Sequence, residues 1–159
     1  MMRWPVAAVM LGILMAPTAV ADPEPLPDLS GYTTVNPDHY GSYYSYPATY
    51  GINFSTPAGF RCRIMFTWKA NPYVKTAGCW GELPGTTFNS VAVTLGMAAE
   101  PASFYNVDDG PEEGSFKLLP AGSKLTYPGS ATCAVADALT VCVLGDHGFV
   151  LDPQGSRAF

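Results

Sequence analysis

The side chains able to do chemistry in this sequence are few. There are two histidines, His39 and His147, and His147 follows Asp146 directly. Hydrolysis by an activated nucleophile needs a Ser or Cys, a His and an orienting carboxylate converging in space. Neighbours along a strand point to opposite faces, so Asp146 and His147 are not expected to pair by adjacency alone. No G-x-S-x-G elbow occurs. His147 therefore reads as a turn residue that hydrogen-bonds the backbone, and no catalytic residue is assigned. The densest carboxylate cluster, Asp108-Asp109-Gly-Pro-Glu112-Glu113, departs from the D-x-D-x-D-G calcium loop and is interrupted by Pro111, which leaves a solvated turn. Glu82 and Glu100 are carboxylates without a supporting glycosidase motif. Neither a metal nor a cofactor is expected. Two aromatic residues, Trp68 and Tyr73, stand near a loop and are expected to form an exposed ridge able to hold a ligand or partner. Trp80 is expected to pack in the core against a disulfide.

The four cysteines Cys62, Cys79, Cys133 and Cys142 are the strongest structural signal. The gaps between them are too long for the close C-x₂₋₄-C pairs of a thiolate zinc site. An even count in an exported chain implies two disulfides, with three possible connectivities. Geometry favours one. Ala131–Val135 and Leu139–Leu144 are strand-like runs around a tight turn at Asp137-Ala138, which sets Cys133 opposite Cys142 within disulfide range. Cys62–Cys79 is then the second bridge, and closing a loop of that size is worth about 3 kcal/mol in the chain-entropy account.

Strands must position these residues. In Phe60–Phe66 the apolar side chains at 60, 62, 64 and 66 alternate with Arg61 and Arg63, the period of a half-buried strand. Val91–Leu95 repeats the pattern, and Phe116–Leu119, Ser123–Tyr127, Ala131–Val135, Leu139–Leu144 and Phe149–Leu151 are further short candidates. Pro and Gly punctuate them. The fold expected is all-β, a compact antiparallel sheet, sandwich or open barrel with two disulfides. The one place for a short helix is 93–100. Both faces of the Cys133/Cys142 hairpin are apolar, which places it at the domain centre.

Composition narrows the function. The chain has 8 Lys+Arg against 13 Asp+Glu, so its net charge of −5 repels phosphate, and no basic run appears; nucleic acid is not a partner. Residues 1–21 have the form of a signal peptide: Arg3 in a short n-region, an uncharged apolar stretch from Pro5 to Val20, and the small-residue site Ala19-Val20-Ala21 before Asp22. That stretch is shorter than the roughly 20 residues of a spanning helix, and no later segment is long and apolar enough to cross a bilayer. No twin-arginine pair precedes it, so export by the general secretory route is expected. Residues 22–50 form a Pro/Tyr-rich arm with six of the nine tyrosines (Tyr32, Tyr40, Tyr43, Tyr44, Tyr46 and Tyr50). It reads as a linker partly packed on the domain, though an aromatic tract of this kind can also bind a glycan or a partner. The disulfide-bonded β domain is expected over 51–159.

The segment Phe54-Ser-Thr-Pro-Ala-Gly-Phe-Arg-Cys62 resembles the F-x-[ST]-P-x-G-x-x-C signature of small, uncharacterised exported proteins of mycobacteria and related actinobacteria. Cys79-Trp-Gly-Glu-Leu-Pro-Gly85, the Cys133/Cys142 pair, His147-Gly-Phe-Val-Leu and Gly155-Ser-Arg-Ala-Phe159 follow in the same order. The likeness spans roughly residues 52–159. It implies export and a disulfide-bonded β domain and carries no activity. A bacterial origin would leave the glycosylation pattern Asn53-Phe54-Ser55 idle. The reading is a secreted or cell-envelope-associated, non-enzymatic binding or structural module, monomeric, with an extracellular or envelope partner. Its alternatives are a small cell-envelope hydrolase of a polysaccharide or ester using His147, and a secreted inhibitor that presents the 62–79 loop.

Overall fold

The structure, a computed structural model, describes residues 26–45, 48–69, 73–96, 100–110, 115–127 and 129–159. The signal peptide expected over 1–21 lies outside these residues. In chain order the described residues form β1 (Thr33–Val35), a 3-10 turn (Pro37–His39), β2 (Gly41–Ser45), β3 (Thr49–Ser55), β4 (Arg61–Thr67), β5 (Val74–Trp80), β6 (Ser90–Leu95), β7 (Ser103–Tyr105), β8 (Lys117–Leu118), β9 (Ser123–Thr126), β10 (Thr132–Val135), β11 (Thr140–Leu144), β12 (His147–Asp152) and β13 (Gly155–Ala158). No α-helix occurs among them.

The strands make two sheets that pack face to face without closing into a barrel. The first runs β1-β9-β10-β11-β12-β13, and the second runs β2-β3-β4-β5-β6-β7, with β8 also paired to β3. Neighbours are antiparallel except β1–β9 and β3–β8, which are parallel. The sheets meet where β5 and β6 of the second lie against β11 and β12 of the first. Alternation decides which side chains enter the core. Ile52, Phe54, Cys62, Ile64, Ala77, Cys79, Val91 and Val93 line it from one side; Leu125, Cys133, Val135, Cys142, Phe149 and Leu151 line it from the other.

Each sheet carries one disulfide between directly opposed residues of neighbouring strands. Cys62 faces Cys79 across β4–β5, and Cys133 faces Cys142 across β10–β11; both pairs have Cα atoms 4.1 Å apart. All four half-cystines are fully buried and no cysteine is left free among the described residues. The Cys133/Cys142 hairpin has the expected turn: Ala136 N–H donates to the Leu139 carbonyl at 2.8 Å, leaving Asp137-Ala138 as its two central residues. A second turn leads into β9, where Ser123 N–H donates to the Pro120 carbonyl at 3.1 Å. Gly122 sits at its third position with φ 76°, the conformation a type II turn assigns to glycine.

The structure departs from the sequence reading in three places. First, β6 runs to Leu95, so the helix expected from 93 is strand at its start: Val91 and Val93 are buried while Thr94 is exposed. Second, β5 is a full strand although Lys75, Ala77 and Gly78 favour no sheet; pairing with β4 on one side and β6 on the other overrides that weak propensity. Third, the described part of the 22–50 arm is built into both sheets. Lys124 Nζ donates to the Leu29 carbonyl at 2.9 Å, β1 adds to β9, and β2 pairs with β3. Because β3 begins at Thr49, the boundary expected at 50/51 falls inside a strand. Tyr and Thr suit a pleated, half-buried surface without help from Val or Ile, and an edge strand needs only one covered face.

Candidate functional site

Along the inner face of β3, burial falls away toward the β2–β3 turn. Phe54 is 0% exposed, Ile52 5% and Tyr50 43%. The first two positions are covered and the third is open to solvent, beside Tyr127 at the end of the β9 segment. The register carries that uncovered level across three strands, because Tyr44 of β2 lies opposite Tyr50, and Tyr50 lies opposite Phe66 of β4. The Tyr44 and Tyr50 rings meet at 5.1 Å between centroids, tilted by 49°. Tyr73, just before β5, sets its ring 5.6 Å from that of Phe66. Tyr44 and Tyr73 are the most open of these rings, 57% and 61% exposed.

Trp68 belongs to the same end of the sheet. Its N–H donates to the Ala48 carbonyl at 3.2 Å, tying the β4 end to the β2–β3 turn, and its ring stays exposed with the Lys69 ammonium 5.2 Å from it. Of the two residues expected to form a ridge, Tyr73 joins a row through Phe66 and Trp68 stands at that row's end. Sequence reasoning placed Phe66 on the inner face but missed Tyr44 and Tyr50, whose alignment depends on strand register.

The row borders a cleft of about 500 Å³ lined by Asp38, Tyr40, Ser42, Tyr44, Tyr50 and Tyr127, among others. Asn36 shapes its rim by accepting the Asp38 N–H at 3.0 Å through its side-chain oxygen, and Pro37 fixes the first position of the 3-10 turn. The Tyr40 phenol is pushed above its ordinary pKa by burial, so it stays a neutral donor and acceptor. The Lys117 ammonium lies 5.5 Å from the Tyr40 ring and donates to the His39 carbonyl at 3.1 Å. The lining itself contains one carboxylate and no Lys, Arg or His.

On the opposite, outer face of the second sheet a different aromatic cluster is closed. Arg63 is buried with its guanidinium carbon 3.7 Å from the Tyr43 ring centre and 6.0 Å from that of Trp80, and its Nε donates to Asn53 Oδ1 at 2.7 Å. This corrects the core role expected for Trp80. It follows Cys79 on a strand, so with Cys79 inward the indole must face outward. Asn53 is fully buried, which removes the glycosylation reading from the folded chain, and its Nδ2 has no hydrogen-bond partner among the described residues.

The remaining candidates do not converge. His147 Nδ1 lies 3.3 Å from the Phe159 carbonyl oxygen and Nε2 lies 3.7 Å from Asp146 Oδ1. Asp146 sits in the turn rather than on the strand, which is how the two neighbours come within reach against expectation. Among the described residues the His147 imidazole thus meets a backbone oxygen and a carboxylate, and no hydroxyl. Glu82 and Glu100 are exposed loop residues. Asp108 and Asp109 follow a loop stapled by Asn89, which donates to the Val107 carbonyl at 2.8 Å and accepts the Val107 N–H at 2.9 Å. Glu112 and Glu113 lie outside the described residues. Among the described residues no three His, Cys, Asp or Glu side chains group as a metal site. No family model, no curated protein and no solved structure matches the chain.

Proposed function

We propose that this protein is an exported, non-enzymatic binding module, secreted or held at the cell envelope, that takes its ligand on the aromatic row Tyr44–Tyr50–Phe66–Tyr73 and the adjoining tyrosine-lined cleft. One observation carries the reading: the rings of Tyr44, Tyr50 and Phe66 stand in register on the inner sheet face, where Tyr44 and Tyr50 are exposed. A core face left open with aromatic side chains is costly unless something covers it. Two buried disulfides and the leader-like residues 1–21 support an exported setting. The resemblance to small exported actinobacterial proteins agrees with it and adds no activity.

The test compares the full chain, expressed with its own leader and purified, with a Tyr44→Ala/Tyr50→Ala variant of equal thermal stability. Each is immobilised and exposed to a cell-envelope extract. Retention of envelope material by the native chain and its loss in the variant is the expected result; equal retention by both overturns the site. Deleting residues 22–50 is the wrong control, because it removes β1 and β2 with the rings. The inhibitor reading draws on the same end of the molecule, since Trp68 and Tyr73 are exposed on the β4–β5 loop. A protein captured through that loop alone, with Tyr44 and Tyr50 dispensable, would favour it.

A further inference from the structure

We infer that the ligand of this site is a neutral, extended glycan, an inference that rests on the binding-module reading above and gives it a chemical class. The spacing of the rings comes from the sheet. Residues in one cross-strand row repeat at the strand separation of about 4.8 Å, and the Tyr44–Tyr50 contact of 5.1 Å keeps close to it; Lys75 is the residue opposite Phe66, and Tyr73 reaches the Phe66 ring from the next level at 5.6 Å. That step is on the scale of one sugar ring along an extended, equatorially linked chain. Aromatic faces hold the C–H faces of sugars by dispersion and by the ring quadrupole, with few rotors to freeze on binding.

The cleft beside the row selects among polymers that could lie on such a surface. Its lining has no Lys, Arg or His and includes Asp38, in a chain of net charge −5, so the cleft itself disfavours polyphosphates and acidic polysaccharides, with Lys75 opposite Phe66 in the row and Lys117 beside Tyr40 as the nearby cations. A proline-rich peptide is the other extended ligand that aromatic grooves take. Its prolines carry no N–H, so they offer the Asp38 carboxylate no donor. A glycan presents hydroxyl donors along its whole length. Asp38, the Ser42 hydroxyl and the tyrosine phenols give it acceptors and donors beside the stacking row.

The experiment titrates the full chain with cellohexaose, chitohexaose, hexagalacturonate and a decaproline peptide, following tryptophan emission, to which Trp68 contributes, and calorimetric heat. A neutral hexasaccharide is expected to bind, with hexagalacturonate and decaproline inert. Tyr44→Ala and Tyr50→Ala should each weaken that binding roughly tenfold, about 1.4 kcal/mol. Tyr50→Leu, which keeps apolar bulk and strand pairing, should weaken it equally. Asp38→Ala should reduce affinity without moving the melting temperature. Phe88→Ala, an exposed ring stacked on Phe104 outside the site, should leave binding unchanged.

Failure of both neutral hexasaccharides to bind at millimolar concentration overturns the inference, as does an equal loss in Phe88→Ala or binding of decaproline through the same tyrosines. The envelope-retention assay separates the two levels. Tyrosine-dependent retention with no hexasaccharide binding removes the glycan and leaves the site standing. Tyrosine-independent retention with no hexasaccharide binding removes both.

Discussion

The two sheets share one device and use it in different surroundings. In each, a disulfide joins directly opposed cysteines of neighbouring strands, with Cα atoms 4.1 Å apart and both sulfurs in the core. In the first sheet the bridged strands β10 and β11 are joined by a two-residue turn, and their inward side chains Cys133, Val135, Cys142 and Leu144 are all buried. In the second, β4 and β5 run on past the bridge for several residues to a longer loop, and the inner face emerges from cover at Phe66 and Tyr73. The shorter hairpin stays buried to its last pair, Val135–Thr140; the longer one ends in exposed rings at Trp68 and Tyr73. The Cys62–Cys79 bridge joins the two strands that lead out to Phe66 and Tyr73.

The largest effect should come from contrasting covered and uncovered positions on one strand. Phe54 and Tyr50 lie on the same face of β3, four residues apart, one fully buried and the other 43% exposed. Phe54→Ala should cost about 3–5 kcal/mol, the transfer and cavity loss of a buried aromatic. Tyr50→Ala should cost no more than about 1 kcal/mol, the scale of one exposed aromatic pair. Urea unfolding of both variants measures the difference. Equal losses would mean that the row is buried in solution.

Removing the bridges asks whether the sheets are equivalent in stability. Cys62→Ala/Cys79→Ala and Cys133→Ala/Cys142→Ala should each lower stability by about 3 kcal/mol. The sequence separations are 17 and 9 residues, close to a doubling, and a doubling of loop length is worth about 0.6 kcal/mol in favour of the longer loop. Loss of ligand binding should follow only the Cys62/Cys79 pair, at a temperature where both variants are folded. Equal binding in the two double variants would separate the bridge from the row.

How much of this was legible in the sequence follows from the range of each interaction. The Cys133/Cys142 hairpin is local: two apolar runs around a short turn set the register, and the disulfide follows from it. The inner face of β4 is readable from alternation alone. Trp80 was misplaced although the signal was present, because a residue next to an inward cysteine on a strand must face out. The row is not readable in that way. Tyr44, Tyr50 and Phe66 align only through the pairing of three strands. Within residues 22–50, composition announces tyrosine and proline; pairing to β3 and β9 turns that segment into two edge strands.

His147 tests the hydrolase alternative against the binding reading at the far end of the first sheet. Among the described residues the His147 ring meets the Phe159 carbonyl at 3.3 Å and the Asp146 carboxylate at 3.7 Å, and no hydroxyl. His147→Ala should cost about 0.5–1.5 kcal/mol, one partly buried hydrogen bond. It should leave ligand binding by the second sheet unchanged. If His147 were a general base, the same change would remove about 10²–10⁴-fold of a hydrolytic rate. Loss of any measured ester or glycoside hydrolysis in a folded His147→Ala protein would move the function from the row to this corner.

The smallest expected effect is alkaline, and it compares the cleft with the opposite edge of the same sheet. Burial raises the pKa of Tyr40, beside the cleft, and of Tyr105 on β7. The folded chain therefore holds both protons at pH values where the unfolded chain releases them. Their contribution to stability is complete below the ordinary tyrosine value of about 10 and is lost as pH rises through the raised folded values. Solvent reaches both rings, so the decline should be shallow. Melting temperature measured at pH 8 and pH 10.5 should fall less in Tyr40→Phe and in Tyr105→Phe than in the native chain. A covering ligand should desolvate Tyr40 further and leave Tyr105 as it was. With saturating ligand, the Tyr40→Phe protein should then differ from the native chain more strongly at pH 10.5, while Tyr105→Phe should differ by the same amount as before. A ligand that changed the Tyr105 comparison instead would place its binding surface at the β7 edge, away from the tyrosine row.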